Sequence, residues 1–427
     1  MEKMYSLFKQ SSGVCTDTRK IEKNCLFISL KGENFNGNTF ADEAIKQGAL
    51  YAIVDEKKYL TNDNIFLVDD CLKFLQDLAL YHRRQFTIPI IGITGSNGKT
   101  TSKELIAAVL IEKYKVHFTQ GNLNNHIGVP LTLLGLNPEH EIAIIEMGAN
   151  KFKDIEELCA IAEPTVGIIT NIGKAHLEGF INFEGVLKTK RELYESIQKI
   201  DGQLVYNADD QILVNELPSN TTNIAYGQNS ASAKVTGNIV NQTPFIEFKW
   251  SSDNYHSPTL KTNLVGEYNF YNFLAALTFG IIFKVEPEKI NHALENYLPS
   301  NNRSQVNKTD KNTIIVDCYN ANPTSMSSAI KSFAQIDHPK KIAILGDMRE
   351  LGNDEKVEHE KIIDQLKMDN IETLFVGSVF QTLTNGENSF KEVEELKTQL
   401  TNSPIEDSLI LLKGSRGIQL EKLLDIL

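Results

Sequence analysis

The apolar run Ile90-Ile91-Gly92-Ile93-Thr94 ends in Gly95-Ser96-Asn97-Gly98 and passes at once into Lys99-Thr100-Thr101. The run suits a strand buried on both faces. Leu105, Ala108 and Val109, which follow, are spaced for one face of a helix. A strand, a glycine loop, Lys-Thr and a helix in succession form a cradle for a nucleoside triphosphate. The glycines let backbone N–H groups curl around phosphate oxygens, and the helix N-terminus adds partial positive charge. Lys99 is placed to neutralise the terminal phosphates, and the Thr100 hydroxyl to sit on Mg²⁺. The strict pattern asks for glycine where this chain has Ile93, but Gly95-x-x-Gly98-Lys99-Thr100 is intact.

At 427 residues the chain is too long for one ordinary core, and it divides most naturally into several domains. A formal charge of -12 argues against a dedicated nucleic-acid binder. Residues after Met1 lack the apolar core of a signal peptide, and no apolar run approaches a membrane span, so a cytoplasmic protein is expected. Cys15, Cys25, Cys71, Cys159 and Cys318 are scattered without a C-x-x-C pair, which fits reduced thiols used as small core residues.

Residues 1–84 read as a small α/β unit. The run Cys25–Leu30 is its first clear strand, a helix over Phe40–Gly48 ends on glycine, and Ala52–Val54 resumes as a strand. Over 85–300 the β–α alternation is regular, with Ile142–Ile145 and Val166–Ile169 as buried parallel strands. Residues 220–262 break that rhythm and are expected to form an antiparallel excursion at the sheet edge, followed by a helix over Leu274–Phe283. Leu298–Asn302 reads as a linker. A third α/β unit, 301–427, has strands at Thr313–Asp317, Ile342–Asp347 and Ser408–Gly414. All three run into polar or glycine residues, where ligands of open α/β sheets sit.

The candidate chemistry clusters at such strand ends. Glu146 directly follows Ile142–Ile145 and suits a hard-metal ligand opposite Thr100, though position alone fits a solvated loop acid equally. His176 follows the next strand and could ligate metal, orient a phosphate or be structural. Lys190 lies in a charged amphipathic segment and by itself reads as part of a solvated face. Asn124 and Asn125 belong to a polar turn that offers hydrogen bonds to a substrate or simply makes the turn. Asn320 and Asn322 stand at the first strand end of the third unit, where Ser325 could cap the next helix. Lys413, Ser415 and Arg416 make a credible anion or carboxylate site, with a plain surface turn as the weaker alternative.

Thr94–Thr101, Glu146-Met147-Gly148, Asn171-Ile172-Gly173-x-Ala175-His176-Leu177-Glu178, Lys190-x-Glu192, Asp317-x-Tyr319-Asn320-Ala321-Asn322-Pro323 and Gly346-Asp347-Met348-x-Glu350-Leu351-Gly352 occur in this order. Together they resemble the Mur ligase family, ATP-dependent amide-forming enzymes of bacterial cell-wall precursor synthesis. The resemblance spans the whole chain. It implies an α/β fold of three domains: a central P-loop-type parallel-sheet ATPase domain, a small N-terminal α/β domain and a C-terminal Rossmann-like α/β domain. Gly121–Pro130 and Asn320–Met326 resemble the member that joins D-alanyl-D-alanine to UDP-N-acetylmuramoyl-tripeptide.

By that resemblance the first domain binds the UDP-sugar, with Ser29 at the uridine diphosphate end and Asn124 and Asn125 nearer the peptide. The second binds ATP and Mg²⁺ through Gly95, Ser96, Asn97, Gly98, Lys99, Thr100 and Thr101, with Asn269 and Asn272 on the adenine side. The third supplies Arg303 and Asp317 to ATP, holds the amine through Asn320, Asn322, Lys413, Ser415 and Arg416, and closes over the nucleotide. Tyr268 stands where the family often has histidine. Thr100 and Glu146 are expected on one Mg²⁺, and His176 and Lys190 around a second, with Lys190 carbamylated by CO₂ as in the family. The implied catalytic set is Lys99, Glu146, His176 and Lys190. A monomer is expected, because the closing domain needs freedom to move. The N-terminal unit, with Thr16–Arg19 and Ser29, argues against a folyl-polyglutamate synthase, which lacks a UDP-sugar domain. A nucleotide-dependent precursor sensor would leave Glu146 and Lys190 idle.

Overall fold

The short apolar runs around Leu26, Ile90, Ile142, Val166, Ile314, Ile342 and Leu409 become strands of three main sheets. The structure is a computed structural model that describes residues 1–175, 177–299 and 302–427. The first sheet pairs Val14–Cys15, Leu26–Ile28, Tyr51–Val54 and Ile65–Leu67, all parallel. The helix Ala41–Gln47 ends on Gly48 at φ 112°, a left-handed position that glycine adopts without strain.

The central sheet places Ile90–Thr94 between Ile142–Glu146 and Val166–Ile169, with Val116–Phe118 at one edge. The chain therefore leaves the middle strand to one side and later returns to the other. Loops 95–98, 147–150 and 170–174 converge where the strand order reverses, the place where such sheets bind ligands. The region 220–262 differs in part from expectation. Thr222–Gly227 continues the parallel sheet beside Gln203–Asn207, and Val235–Asn241 pairs parallel to it. Antiparallel pairing begins only at Glu247–Ser252.

The helix Lys99–Ile111 is buried on more sides than one apolar face provides. Leu105, Ile106, Ala107, Val109 and Leu110 are all buried, whereas Ala108 is only half-buried. The reason is the helix Phe270–Ile282, apolar all round, which packs against it from outside.

The third sheet runs Gln305–Lys308, Asn312–Asp317, Ser408–Lys413, Lys341–Gly346, Glu372–Val376 and Ser389–Phe390, parallel except for the first strand. Asp317 and Lys413 are register partners at the carboxyl ends of adjacent strands. The helix Pro323–Ala334 begins with a reciprocal cap in which Asn322 is the N-cap and Ser325 answers from the third position, so the capping role expected of Ser325 belongs chiefly to Asn322. Among the described residues no helix is long and apolar enough to cross a membrane.

Candidate active site

The glycine loop is held from outside by the end of the neighbouring strand. Ser96 N–H donates to the Asn171 carbonyl at 3.0 Å. Asn97 N–H donates to Asn171 Oδ1 at 3.0 Å, while the Thr170 hydroxyl and the Asn171 amide both donate to the Asn97 carbonyl. Ser96 Oγ exchanges hydrogen bonds with the Gly173 backbone. Gly95 is required by this fit, because a Cβ there would stand 2.0 Å from Thr170 Oγ1. Gly98, at φ 77°, starts the helix and lies against the Asn272 side chain.

Beyond the loop lies a cavity of about 630 Å³, lined by groups of the second and third units. From the loop and helix come Ser96, Asn97, Gly98, Lys99, Thr100 and Thr101, and across from them Arg303, Asp317 and Tyr319. Lys99 Nζ donates to the Gly95 and Ser96 carbonyls at 2.7 and 3.3 Å. Burial pushes its ammonium down to about 8, with Glu146 opposing the shift and Arg303 adding to it. The Arg303 guanidinium stacks 3.8 Å from the Tyr319 ring centroid, and its buried Nε has no hydrogen-bond partner. An unsatisfied guanidinium N–H and a half-buried ammonium facing one cavity make a strong anion site.

Glu146 ends its strand on the floor of this cavity, almost wholly buried. Thr100 Oγ1 and Asn124 Nδ2 donate to its Oε1 at 3.1 and 2.7 Å, and its own N–H donates to Thr119 Oγ1. Its Oε2 has no hydrogen bond and faces Lys103 Nζ at 3.6 Å. Asn124 therefore serves Glu146 directly. Asn125 lines the cavity but spends its Oδ1 on the Ile127 and Gly128 N–H groups of its own turn.

Lys190 is buried, not solvated, and does not line the cavity. Its helix, Phe183–Gln198, buries Val186, Lys190, Leu193 and Ile197 along one stripe. The Lys190 ammonium lies 5.7 Å from the Phe180 ring centroid. Burial and then the charge of Lys99 hold it well below the usual ammonium range, against the pull of Asp154 and Glu192. Both carboxylates are already engaged by backbone N–H groups: Asp154 by Asn150 and Lys151, Glu192 by Lys153 and Glu156. His176 lies outside the described residues, as do two of the expected linker positions.

The other sequence candidates divide. Asn269 and Asn272 line the cavity and bond to each other at 2.9 Å, with Asn272 Oδ1 accepting from Ser102. Tyr268 Oη meets Ser304 Oγ at 3.1 Å. Lys413 is buried and neutralised by Asp317 at 2.5 Å, so its charge is already matched. Asn320 lines the cavity, whereas Ser415 accepts from Arg349 N–H, and exposed Arg416 stands 5.5 Å from the Tyr319 ring centroid. Asn322 donates across the domain seam to Asn97 Oδ1 at 2.7 Å. Ser29 lies away from the cavity, directly after the first-sheet strand Leu26–Ile28, with a buried hydroxyl that has no partner. Lys103 and Thr119 were absent from the sequence-based set. Lys103 falls one turn after Lys99 and in register with Ile106 and Leu110, a spacing that marks the buried side of the helix.

Comparison with known proteins fits this geometry. The Mur ligase middle domain matches residues 93–280, the Mur ligase glutamate ligase domain 302–416 and the Mur ligase family catalytic domain 10–83. A UDP-N-acetylmuramoyl-tripeptide–D-alanyl-D-alanine ligase of Bacillus subtilis (strain 168) is 34% identical, over 96% of this chain and 92% of that protein. The chain belongs to the Mur ligase family. The Escherichia coli (strain K12) Mur ligase of the same description is 32% identical over 96% of this chain and 92% of its own. Among solved Mur ligases, crystal structure I of MurF from Acinetobacter baumannii superposes with a TM-score of 0.87 at 28% identity, covering 99% of this chain and 97% of that one. MurF from Thermotoga maritima in complex with ADP gives 0.85 at 26%, covering 98% and 97%.

Proposed function

We infer that this Mur ligase joins D-alanyl-D-alanine to UDP-N-acetylmuramoyl-tripeptide at the expense of ATP. The observation that carries the inference is the single cavity in which a phosphate loop, a strand-end carboxylate and the third unit's cations meet, in a chain matched end to end by ligases of that description.

The tripeptide's terminal carboxylate attacks the γ-phosphorus of ATP, ADP leaves, and an acyl phosphate forms. The dipeptide amine then attacks the acyl carbon, inorganic phosphate departs, one proton is released and an amide remains. A free carboxylate has a poor leaving group, and phosphorylation supplies a good one. The protein's part is to position and to neutralise charge. We assign Lys99 and Arg303 to the phosphates, on the strength of their facing charges, and Asn269 and Asn272 to the adenine side. Ser29, with its spare hydroxyl, is assigned to the UDP-sugar, and Asn320 and Arg416 to the amine substrate. Units 1–84, 85–300 and 301–427 take the three substrates in turn. A monomer is taken as the working unit because the third unit needs freedom to close over the nucleotide, and the cytoplasm as its place, where nucleotide substrates are made.

The donor set at Glu146 fits Mg²⁺. One carboxylate with an unbonded buried oxygen and one hydroxyl suit an ion that fills its remaining positions with phosphate oxygens and water. Bound there, Mg²⁺ would neutralise phosphate charge during transfer. Lys190 fits a carbamate. Its amine gives up a proton easily, the free amine adds to CO₂, and the resulting anion would face the Lys99 cation. Removing CO₂ from the buffer should lower the rate and bicarbonate should restore it. A ¹³C carbamate resonance that persists in Lys190→Ala would refute the assignment.

The defining test is product mass. With ATP, Mg²⁺, tripeptide nucleotide and D-alanyl-D-alanine, the nucleotide product should gain one dipeptide less water, with one phosphate released per product. Phosphate release with glutamate alone would indicate a sister ligase. No mass gain and no phosphate on any acceptor would indicate a sensor.

A further inference from the structure

Lys103 has no part in the scheme above, yet it is among the most buried charges in the protein. Lys103 and Glu146 are each 1% exposed, and Nζ stands 3.6 Å from Oε2, the oxygen that no hydrogen bond satisfies. The Phe118 ring centroid also lies 6.0 Å from Nζ. Among the described residues, Glu146 is the carboxylate that pairs with Lys103.

The charge balance around Glu146 has a consequence for metal binding. Its single negative charge is matched by Lys103. Of the other ionisable groups lining the cavity, Lys99, Lys151, Arg303 and Lys413 are positive and Asp154, Glu157 and Asp317 negative, an excess of one positive charge, with Asp317 taken up by Lys413. Without a nucleotide, a dication meets a carboxylate whose charge is already balanced, in a field that is positive overall. A nucleotide's phosphates reverse that field. The carboxylate meanwhile stays aimed, since Thr100 and Asn124 fix Oε1 and Lys103 fixes the side on which Oε2 lies.

We propose that Lys103 is a positioning residue that keeps the Glu146 site closed to a free divalent cation, so that the metal enters only together with nucleotide phosphates. The proposal rests on Glu146 and Thr100 as the metal's protein ligands. Removing the cation should expose the carboxylate. A positive charge this close to a dication is worth at least about tenfold in affinity even at a generous effective dielectric constant.

The probe is Mn²⁺, followed by the electron paramagnetic resonance of the free ion against the full chain. Without nucleotide, wild type and Glu146→Gln should take up Mn²⁺ equally weakly. Lys103→Met should bind it at least about tenfold more tightly. That gain should vanish in Lys103→Met/Glu146→Gln, and Lys103→Arg should behave as wild type. Nucleotide-free wild type binding Mn²⁺ more tightly than Glu146→Gln would overturn the proposal. So would a folded Lys103→Met, checked by thermal melting, that binds no better than wild type. If Lys103→Met does not fold, the wild-type and Glu146→Gln comparison decides alone. The underlying assignment is tested separately with ADP present. Wild type should then hold Mn²⁺ more tightly than Glu146→Gln, and equality there would sink the metal-ligand assignment itself.

Discussion

The central unit meets its two neighbours through seams of opposite construction. On the N-terminal side, the helix Cys71–Arg83 lays Phe74, Leu75 and Leu78 against the helices Gly128–Leu134 and Asp154–Ala162. This seam's buried polar groups are engaged, and exposed bonds from Arg84 to Glu163 and from Gln76 to the His126 carbonyl lie at its edge. Arg83 donates to the Ala162 and Glu163 carbonyls at 3.0 and 3.1 Å, and His82 Nε2 meets the Leu136 carbonyl at 2.9 Å. On the C-terminal side, the contacts around the cavity are mostly single side-chain hydrogen bonds, some of them between buried groups such as Asn269 and Ser304. Asn322 reaches Asn97, Lys174 Nζ reaches Glu358 at 2.8 Å, and Lys174 N–H reaches Thr324 at 3.2 Å. The first seam is built as a core and contributes stability. The second is built as a docking surface, with contacts weak enough to be exchanged for a substrate.

Substitutions can break this contrast. The largest effect is expected at Lys99→Ala, which should cut turnover by about a thousandfold or more, the scale on which preorganised charge stabilises a transition state. Its melting temperature should stay near that of wild type, since the ammonium bonds only within its own loop. Arg83→Ala should do the reverse. Leaving the Ala162, Phe86 and Glu163 carbonyls without their donor costs about 3 kcal/mol, visible in denaturant unfolding, while the rate per folded molecule is unchanged. A loss of activity without loss of stability there would erase the distinction between the seams. The smallest effect is expected at Asn322→Ala. Loss of the helix cap costs about 1 kcal/mol. Loss of the bond to Asn97 should raise the KM for the dipeptide by about threefold to tenfold, with kcat nearly constant.

Much of this was legible in the sequence because strands buried on both faces and loops at their carboxyl ends leave local marks. The runs around Ile90, Ile142, Val166 and Ile314 are strands, and Glu146 sits where its strand ends. Long-range partners leave no such mark. Nothing near Asn97 announces Asn322, and nothing near Asn124 announces that its amide serves Glu146. Lys190 is different, because its signal was present. It lies four residues after Val186 and three before Leu193, on the apolar stripe of its helix, and the surrounding charges of Lys188, Arg191 and Glu192 obscured that register. The edge region failed for another reason. Parallel and antiparallel neighbours have the same side-chain period, so the direction of Thr222–Gly227 cannot be read from its residues.

The hold of Thr170, Asn171 and Gly173 on the phosphate loop bears on affinity as well as shape. A glycine-rich loop left to itself would surrender conformational entropy each time a nucleotide bound. Here that ordering takes place once, when the chain folds, through bonds that involve no ligand atom. The preorganised loop can therefore express its contacts with an incoming triphosphate almost undiminished as binding free energy.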